Sequence, residues 1–242
     1  MPRPPRIQVP GGVYHVTMRG NNRERVVFDD DDRKVFIATL ATARRRYGWK
    51  VHSYCLMDNH YHLLLETPQA NIAAGMHWLN STYAHRFNTA HERVGHAFQR
   101  RYGARLIEDD DDHLQEVIRY LPLNPVRAGI CSRAEDWRWS SYAALIGLVQ
   151  PPAFLSVDWT LRRFADDVSE ARRLLREWVE SAPMRDPAEN PPPLSTIFPP
   201  GRPVAAETLH KARSMFGYSV AEIARHLQTH PSNVARKMRT AA

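Results

Sequence analysis

The sequence predicts an α+β protein, with helices packed on an antiparallel sheet in a ferredoxin-like, split βαβ layout, followed by a small all-α module. Strand-like alternation and helix-like spacing follow one another in the order strand, helix, strand, strand, helix, strand, helix. The two middle strands form a hairpin that carries a pair of histidines. A proline-rich stretch then separates this region from three short helical segments, so we expect one good core and a small extra module.

The composition favours a globular protein that binds a polyanion. Of the 242 residues, 43% are hydrophobic, and the formal net charge is +7. No apolar run approaches the length of about eighteen residues that a membrane span requires, and the proline-rich start lacks a signal-peptide core. We therefore expect a soluble, cytoplasmic, nucleoid-associated protein with no membrane partner. Its two cysteines, Cys55 and Cys131, fit neither a disulfide framework nor a zinc finger.

The first strand and helix precede the hairpin. Gly12–Met18 alternates and is rich in β-branched residues, and the Gly and Asn content of Arg19–Arg23 predicts a loop. Asp29–Asp32 opens a helix that runs to about Tyr47. We interpret the four aspartates as residues that the helix dipole stabilises rather than as a metal site. The three arginines that end the helix have the same dipole explanation, or they contact DNA.

The hairpin carries the first chemical motif. Residues Trp49–Met57 are rich in β-forming side chains, an Asp-Asn pair signals a turn, and His60–Leu65 forms the second strand. Because side chains alternate between the two faces of a strand, His60 and His62 point the same way and suit one divalent metal with further ligands from elsewhere. The alternative is a pair of polar residues on a solvated strand face.

A second motif follows two more elements. Asn71–Phe87 has the spacing of an amphipathic helix, and Gly95–Glu108 predicts a strand or hairpin from which arginines project. Next, Tyr120 and Asn124 lie four residues apart and would share one face of a helix. A phenol is a competent nucleophile toward a phosphodiester that a metal polarises, and an amide oxygen can be a third metal ligand.

Two prolines lie in the same segment. Proline removes a helical hydrogen bond and clashes with the carbonyl four residues back, which for Pro122 is that of Ile118. We therefore expect the helix to kink or end near Tyr120, and Pro125 predicts that it does not continue far.

Five stretches of the sequence resemble, in order, those of the REP-associated tyrosine transposases, which are single-tyrosine transposases with a His-hydrophobic-His motif. They are Arg19-Gly-Asn-Asn-Arg23, Cys55–Leu65, Gly95–Tyr102, Tyr120–Gly129 and Trp139-Ser-Ser-Tyr142. The sequence departs from the family pattern at Tyr61, which is bulkier and more polar than the usual aliphatic residue.

The resemblance implies a mechanism. The histidines would lie on a central strand, and the tyrosine helix would be aimed at them. Tyr120 would attack single-stranded DNA to form a 5′ phosphotyrosine, with His60, His62 and Asn124 holding Mg²⁺ or Mn²⁺. A free 3′-hydroxyl can reverse this linkage, which gives strand transfer as well as cleavage.

The resemblance also implies a substrate, a hairpin of a repeated extragenic palindrome. The monomer is slightly favoured over the homodimer. Candidate DNA contacts in this region are basic and amide side chains: Arg19, Asn21, Asn22, Arg23, Arg100, Arg101, Arg105 and Arg127.

We divide the chain into a catalytic domain (residues 1–150), a helical extension (151–181), a proline-rich linker (182–203) and a module (204–242). The module reads as three short helices in a helix-turn-helix pattern. Its last helix would enter a major groove, with Asn233, Arg236, Lys237 and Arg239 as candidate readers. The alternative is a helical cap on the catalytic domain.

Two other functions compete with strand transfer. A non-catalytic DNA-binding regulator derived from a transposase would keep the basic sheet and the tail. A metal-dependent hydrolase of small phosphoesters fits the histidine pair but neither the basic charge nor the tail.

Overall fold

The computed structural model describes residues 8–99, 101–107, 112–181, 194–201, 203–214 and 220–239. The chain divides into two compact units, Met1–Ala182 and Pro183–Ala242. The first unit holds β1 (Gly12–Arg19), α1 (Asp30–Tyr47), β2 (Lys50–Leu56), β3 (His60–Thr67), α2 (Ile72–Ala90), β4 (Gly103–Ile107), α3 (Asp112–Arg127), α4 (Tyr142–Leu145), α5 (Val157–Leu161) and α6 (Val168–Glu180). The second holds α7 (Leu194–Ile197), α8 (Ala206–Ser214), α9 (Val220–His226) and α10 (Pro231–Arg239). None of these described helices combines the length and apolar character needed to cross a membrane.

The sheet has the strand order β2-β3-β1-β4, and every neighbouring pair is antiparallel. The predicted α+β class and the predicted order of strands and helices are confirmed. β3 lies inside the sheet, so the two histidines are on a central strand. Thr17 of β1 lies opposite His62, and Arg19 lies opposite His60.

The two faces of the sheet have different coverings. α1 and α2 pack on one face, where Tyr61 is fully buried with its ring centroid 4.6 Å from that of Phe36. The Tyr61 hydroxyl donates to Oδ1 of Asn80 at 2.6 Å, so its polar group is satisfied in the core. α3 packs on the opposite face, to which His60 and His62 point. The unusual residue between the histidines is therefore a core residue and does not face the site.

Three of the four aspartates, Asp30, Asp31 and Asp32, lie in the first turn of α1, where the helix dipole stabilises negative charge. Asp29 is the residue before the helix, and its side chain accepts a hydrogen bond from the backbone N–H of Asp32 at 2.9 Å. Gly48 ends the helix in the left-handed conformation, with φ of 68°.

The sequence predicts that the tyrosine helix ends or kinks near Tyr120. The predicted end is wrong. α3 continues to Arg127 through Pro122 and Pro125. Pro125 has no N–H for the carbonyl of Leu121, and the side-chain amide of Asn124 donates to that carbonyl at 3.3 Å. The same NH₂ group donates to the Tyr120 carbonyl at 2.8 Å. A side chain thus replaces a missing backbone donor, which composition alone does not reveal.

A later segment covers the outer edge of β2. Leu56 donates its N–H to the carbonyl of Trp139, Tyr54 accepts from Ser141, and Val51 accepts from Ser156, at 2.7–3.0 Å. These bonds pair backbone groups that an edge strand would otherwise expose. The predicted helical extension packs in the same unit, because α6 contacts α3.

The segment from Gly95 to Glu108 was predicted as a strand or hairpin, and among its described residues the strand is β4. Residues before it form a loop that bonds to the end of β1. Asn21 donates to the carbonyl of Ala97 at 2.9 Å, and Gln99 donates to that of Arg19 at 3.0 Å. Glu108 lies outside the described residues.

The second unit has its own core, which is formed by Phe198, Leu209, Ala212, Ile223, Ala224, Val234 and Met238. The three predicted helices are present as α8, α9 and α10. The predicted linker ends too late, because Leu194, Ile197 and Phe198 belong to this core. Their spacing of three and four residues is helical, but the surrounding prolines concealed it.

Candidate active site

The structure brings three of the predicted residues together. His60 and His62 leave β3 on the face that α3 covers, and their ring centroids are 5.1 Å apart. The ring of Tyr120 stands edge-on to His62, with 5.3 Å between centroids. The strand pair and the helix therefore place a phenol beside two imidazoles, as the sequence predicts.

Asn124 lies one turn after Tyr120 and is buried. Its NH₂ group is committed to the helix carbonyls described above, so the amide oxygen is the atom left as a candidate metal ligand. The Asn124 side chain is close enough to His60 to raise the pKa of that ring, against the effect of burial. An oxygen ligand suits Mg²⁺ or Mn²⁺.

Burial keeps the paired histidines neutral. Desolvation lowers the pKa of His60 to about 4, with Arg19 adding to the effect. Desolvation also holds the pKa of His62 well below 6.5, and the neighbouring His15 and His60 add to it. A neutral imidazole has one nitrogen lone pair, so both rings can ligate a metal at neutral pH.

Asn59 fixes the orientation of His60. Its Nδ2 donates to the carbonyl of Arg23 at 3.2 Å, and its Oδ1 lies 2.6 Å from Nδ1 of His60. Because that oxygen can only accept, Nδ1 of His60 carries the proton and Nε2 carries the lone pair. The loop that precedes α1 is thus connected to a candidate metal ligand through one side chain.

His62 has a similar support in His15, a residue that sequence reasoning missed. Nε2 of His15 lies 3.2 Å from Nδ1 of His62, and the two rings are stacked with centroids 5.4 Å apart. Nε2 of His62 is buried and has no hydrogen-bond partner in the described part of the chain. An unpartnered buried nitrogen is costly, and a metal ion would satisfy it, so the residues present fit a divalent cation.

Arginines lie close to the tyrosine. Burial raises the pKa of Tyr120, whereas Arg127 and Arg19 lower it. The guanidinium carbon of Arg127 lies 5.3 Å from the centre of the Tyr120 ring. Arg127, predicted as a DNA contact, is therefore placed beside the candidate nucleophile.

A cavity of about 290 Å³ lies in front of the histidines. Its lining residues are Thr17, Met18, Arg19, His60, His62, Gln99, Arg101 and Gly103. A Cβ atom at Gly103 would lie 2.6 Å from the Thr17 hydroxyl, so a larger residue at this wall would require the Thr17 side chain to move. Two of the predicted DNA contacts, Arg19 and Arg101, line the cavity and give it positive charge.

The other predicted contacts lie at different places. Asn21, Asn22 and Arg23 are exposed in a 3-10 turn that includes left-handed backbone. Arg105 is exposed on β4 opposite His15, and Arg100 lies outside the described residues. In the second unit, Asn233, Arg236 and Lys237 are exposed on α10. Arg239 ends that helix, and its side chain lies outside the described residues.

A separate cluster of Asp29, Asp32 and His91 has ligand atoms within 4.8 Å of one another. Its polar atoms already serve the fold. Asp29 caps α1, Asp32 accepts from the N–H of Phe28 at 2.8 Å, and His91 lies 2.8 Å from the Asp32 carboxylate. These contacts give Asp29, Asp32 and His91 a role in the fold.

Comparisons relate the chain to known transposases. Residues 8–123 match the family described as Transposase IS200 like. A REP-associated tyrosine transposase of Haemophilus influenzae is 27% identical over 143 residues, which covers 54% of this chain and 80% of that protein. A solved structure of a REP-associated tyrosine transposase bound to a REP hairpin has a TM-score of 0.52 and 18% identity, covering 69% of this chain and 93% of that one. The likeness to that structure concerns the fold.

Proposed function

We propose that this chain is an IS200-like transposase, and that it cleaves and rejoins single-stranded DNA through a covalent phosphotyrosine on Tyr120. The match of residues 8–123 to the family described as Transposase IS200 like supports this proposal. The observation that carries this proposal is the edge-on approach of Tyr120 to His62, at 5.3 Å, beside a cavity lined by two arginines. A core tyrosine without a chemical role would not need two neutral histidines, a buried amide and cationic side chains around it.

In the proposed step, the Tyr120 oxygen attacks the phosphorus of a phosphodiester. The phenol loses its proton, the bond from phosphorus to the 3′ oxygen breaks, and that oxygen takes up a proton as it leaves. Arg127 and Arg19 favour the charged phenolate against the effect of burial. In the reverse direction a 3′-hydroxyl attacks the phosphotyrosine, which restores a DNA phosphodiester and releases the phenol.

His60, His62 and Asn124 would hold the divalent metal. A Mg²⁺ or Mn²⁺ ion bound there supplies Lewis-acid polarisation of the phosphate and stabilises the added negative charge. Asn59 and His15 orient the two rings, so that the ligand nitrogens point into the cavity without reorganisation.

The substrate proposed is single-stranded or hairpin DNA, since the solved transposase of similar fold is bound to a REP hairpin. In the second unit we propose that α9 and α10 act as a helix-turn-helix. α10 would contact duplex DNA through its exposed Asn233, Arg236 and Lys237.

Covalent trapping on a labelled single-stranded oligonucleotide tests the nucleophile. Tyr120→Phe removes only the hydroxyl, so we expect complete loss of the covalent adduct while binding is retained. Tyr142→Phe is the matched control, because this buried hydroxyl has no hydrogen-bond partner in the described structure. Adduct in the Tyr120→Phe protein would place the nucleophile elsewhere. Binding without adduct by the wild-type protein, with metal present, would instead favour the DNA-binding regulator.

A further inference from the structure

A buried arginine of α1 reaches the turn that leads to the candidate metal ligands. The Arg33 side chain is 9% exposed, and its guanidinium donates to the carboxylates of Asp30, at 3.3 Å, and of Asp58. Asp58 and Asn59 form the turn between β2 and β3, directly before His60. Because a charged side chain is rarely buried to this extent unless it is paired, the ion pair with the turn is part of what allows Arg33 to be buried.

Two tryptophans limit the direction of this guanidinium. Its central carbon lies 5.4 Å from the ring centre of Trp137 and 5.6 Å from that of Trp139. Both tryptophans are bonded to β2, since Leu56 accepts from Nε1 of Trp137 and donates its N–H to the carbonyl of Trp139, each at 3.0 Å. Contacts with both rings restrict the rotamers that the arginine can adopt. We call the following residues the Arg33 cluster: Asp30, Arg33, Asp58, Trp137 and Trp139.

The turn is held at its backbone as well as at its side chain. The carbonyl of Asp58 accepts from the N–H groups of Val26, at 2.8 Å, and Val27, at 3.0 Å. Arg25 donates to Oδ2 of the Asp58 carboxylate at 3.1 Å, whereas Arg33 donates to Oδ1. These four partners lie in the segment that enters α1 and in its first turn, so this segment determines where the turn sits.

The orientation of His60 depends on the conformation of this turn. Neighbouring residues of a regular strand point to opposite faces, so Asn59 would not reach His60 if β3 began one residue earlier. Because the chain bends at Asp58 and Asn59, Oδ1 of Asn59 lies 2.6 Å from Nδ1 of His60. A change in the bend would break this contact, and the proton would then distribute between Nδ1 and Nε2 of the ring.

We propose that Arg33 is a positioning residue of the candidate metal site. By holding the Asp58 carboxylate, it keeps the turn in the bend from which Asn59 fixes the proton on Nδ1 of His60, so that Nε2 stays available to a cation. The inference rests on the proposed function and adds to it a residue of α1, which packs on the opposite face of the sheet. A role in the fold alone would instead predict that Arg33 variants lose stability and leave the His60 ring unchanged.

Nitrogen-15 NMR of the histidine rings in the full chain, at neutral pH and without metal or DNA, tests this proposal. The two nitrogens of a neutral imidazole differ in chemical shift according to which one carries the proton, and the His60 signals are identified by their absence in His60→Gln. Wild-type protein should show the Nδ1-protonated form. Arg33→Met keeps an apolar chain against the tryptophans but loses the ion pair, so the Nε2-protonated form should appear. A His60 ring that stays Nδ1-protonated in Arg33→Met would overturn the proposal.

A second variant breaks the same ion pair from the turn. Asp58→Ala removes the carboxylate and keeps the backbone bonds of this residue, so it should give the same mixture of His60 tautomers. It decides the proposal if Arg33→Met does not fold, because Asp58 lies at the surface end of the pair, with 38% of its side chain exposed. An unchanged His60 ring in this variant would also overturn the proposal.

The matched control is Arg138→Met. Arg138 also donates to Asp30 and lies 4.8 Å from the ring centre of Trp139, but it is exposed and makes no hydrogen bond to the turn within the described part of the chain. Leu40→Ala is a second control, because it removes a fully buried side chain from the same helix and lowers stability without touching the turn. Both should keep the wild-type tautomer of His60. A changed tautomer in either control would contradict a specific role of the ion pair.

Calorimetric titration with Mn²⁺ extends the test to the metal. Arg33→Met and Asp58→Ala should each lower the affinity roughly tenfold, as is typical when a residue that orients a metal ligand is changed. The double variant should lose no more than either single variant, because all three lack the same ion pair. Additive losses, or wild-type affinity in Arg33→Met, would overturn the role in metal binding.

Covalent trapping by the wild-type protein separates this inference from the proposed function. Adduct formation by wild-type protein, together with an unchanged His60 tautomer in Arg33→Met, removes only the positioning role. Absence of adduct, together with the expected change of tautomer, removes the proposed chemistry and leaves Arg33 as a residue that orients His60.

Discussion

Burial keeps the imidazoles of His52, His60 and His62 neutral, because a charged ring would lose its hydration. His52 shows the effect away from the active site. It lies at an irregular position of β2, is fully buried and stacks on Trp159 with ring centroids 3.8 Å apart. Desolvation lowers the pKa of His52 to about 3, to which Lys50 and Arg163 contribute.

This shift predicts a dependence of stability on pH. Below pH 6.5 the unfolded chain protonates His52, whereas the folded chain does so only near pH 3, so folding stability is lost as pH falls through this window. His52→Phe keeps a stacked ring that cannot be protonated. We expect it to remove about 1 kcal/mol of the acid destabilisation between pH 6.5 and 5.5, measured by denaturant unfolding.

The control for this prediction is His85→Phe, which changes an exposed histidine of α2. The Glu66 carboxylate lies 3.6 Å from Nε2 of His52, so its negative charge would stabilise the protonated ring in the folded protein. An unchanged pH profile in His52→Phe would mean that Glu66 compensates protonation in the folded protein.

At single residues, the sequence predicted the positions of the candidate site residues better than it predicted the residues that support them. His60, His62, Tyr120 and Asn124 belong to short motifs whose spacing alone places them on one strand face or one helix face. His15 contacts His62, which is distant in sequence. Asn59 lies in the turn before β3 and contacts both Arg23 and His60. The alternation of β1 puts His15 on a definite face, but only the register of β1 against β3 shows that it reaches His62.

At the scale of elements, α3 depends on a side chain that has two roles. Asn124 donates to the carbonyl that Pro125 cannot serve, and its amide oxygen is left as a candidate metal ligand near His60. The sequence predicted the shared face of Tyr120 and Asn124 correctly, but it predicted the end of the helix wrongly. Helix propensity includes the effect of the N–H that proline lacks. It does not include the effect of a neighbouring side-chain amide that replaces this donor.

A double-mutant cycle separates the two roles of Asn124. Asn124→Ala should cost about 1 kcal/mol of stability, because the Leu121 carbonyl loses its donor. Pro125→Ala should restore about that amount in the Asn124→Ala background, since alanine supplies a backbone N–H. Affinity for Mn²⁺ should fall in Asn124→Ala and stay low in the double variant.

Two measurements distinguish the role of Asn124 in the helix from its role as a metal ligand. Unfolding by denaturant reports the helix, and calorimetric titration with Mn²⁺ reports the ligand. His62→Ala is the reference for complete loss of metal binding, because a water replaces a neutral oxygen ligand more readily than an imidazole. Recovery of Mn²⁺ affinity by Pro125→Ala would show that Asn124 acts only through the helix.

At the scale of the whole molecule, the division into two units predicts that the second unit can be removed without loss of the proposed chemistry. Deletion of residues 183–242 should leave covalent trapping on a short single-stranded oligonucleotide nearly intact, since the proposed catalytic residues lie in the first unit. Affinity for duplex-containing DNA should fall. Its salt dependence should decrease by roughly one unit for each phosphate that the tail no longer neutralises, with Arg236 and Lys237 as the candidate cations.

The full-length variant with Arg236→Gln and Lys237→Gln is the control, because it removes the same charges without removing the core of the second unit. It should reproduce the change in salt dependence. Loss of trapping on the short oligonucleotide after deletion would contradict a DNA-binding tail and support the helical cap.

The covering of β2 implies that the motif-bearing region is not a folding unit. A chain that ends after residue 130 contains His60, His62, Tyr120 and Asn124, but it lacks the residues that bond to the outer edge of β2. We expect this fragment to aggregate when it is expressed, whereas a chain that ends at residue 182 should be soluble. A soluble, monomeric 1–130 fragment, judged by sedimentation, would contradict this.

The same covering has a consequence for synthesis on the ribosome. β2 and its hairpin partner β3 are translated long before Trp139, Ser141 and Ser156, which complete the edge. At about 5–20 residues per second, the roughly twenty-five residues between residue 130 and Ser156 take about one to five seconds. During that interval the nascent chain presents an unpaired strand edge, and neighbouring chains on one polysome present the same edge to each other. Translation speed over this short stretch should therefore influence the yield of folded protein, although the stretch contains none of the proposed catalytic residues.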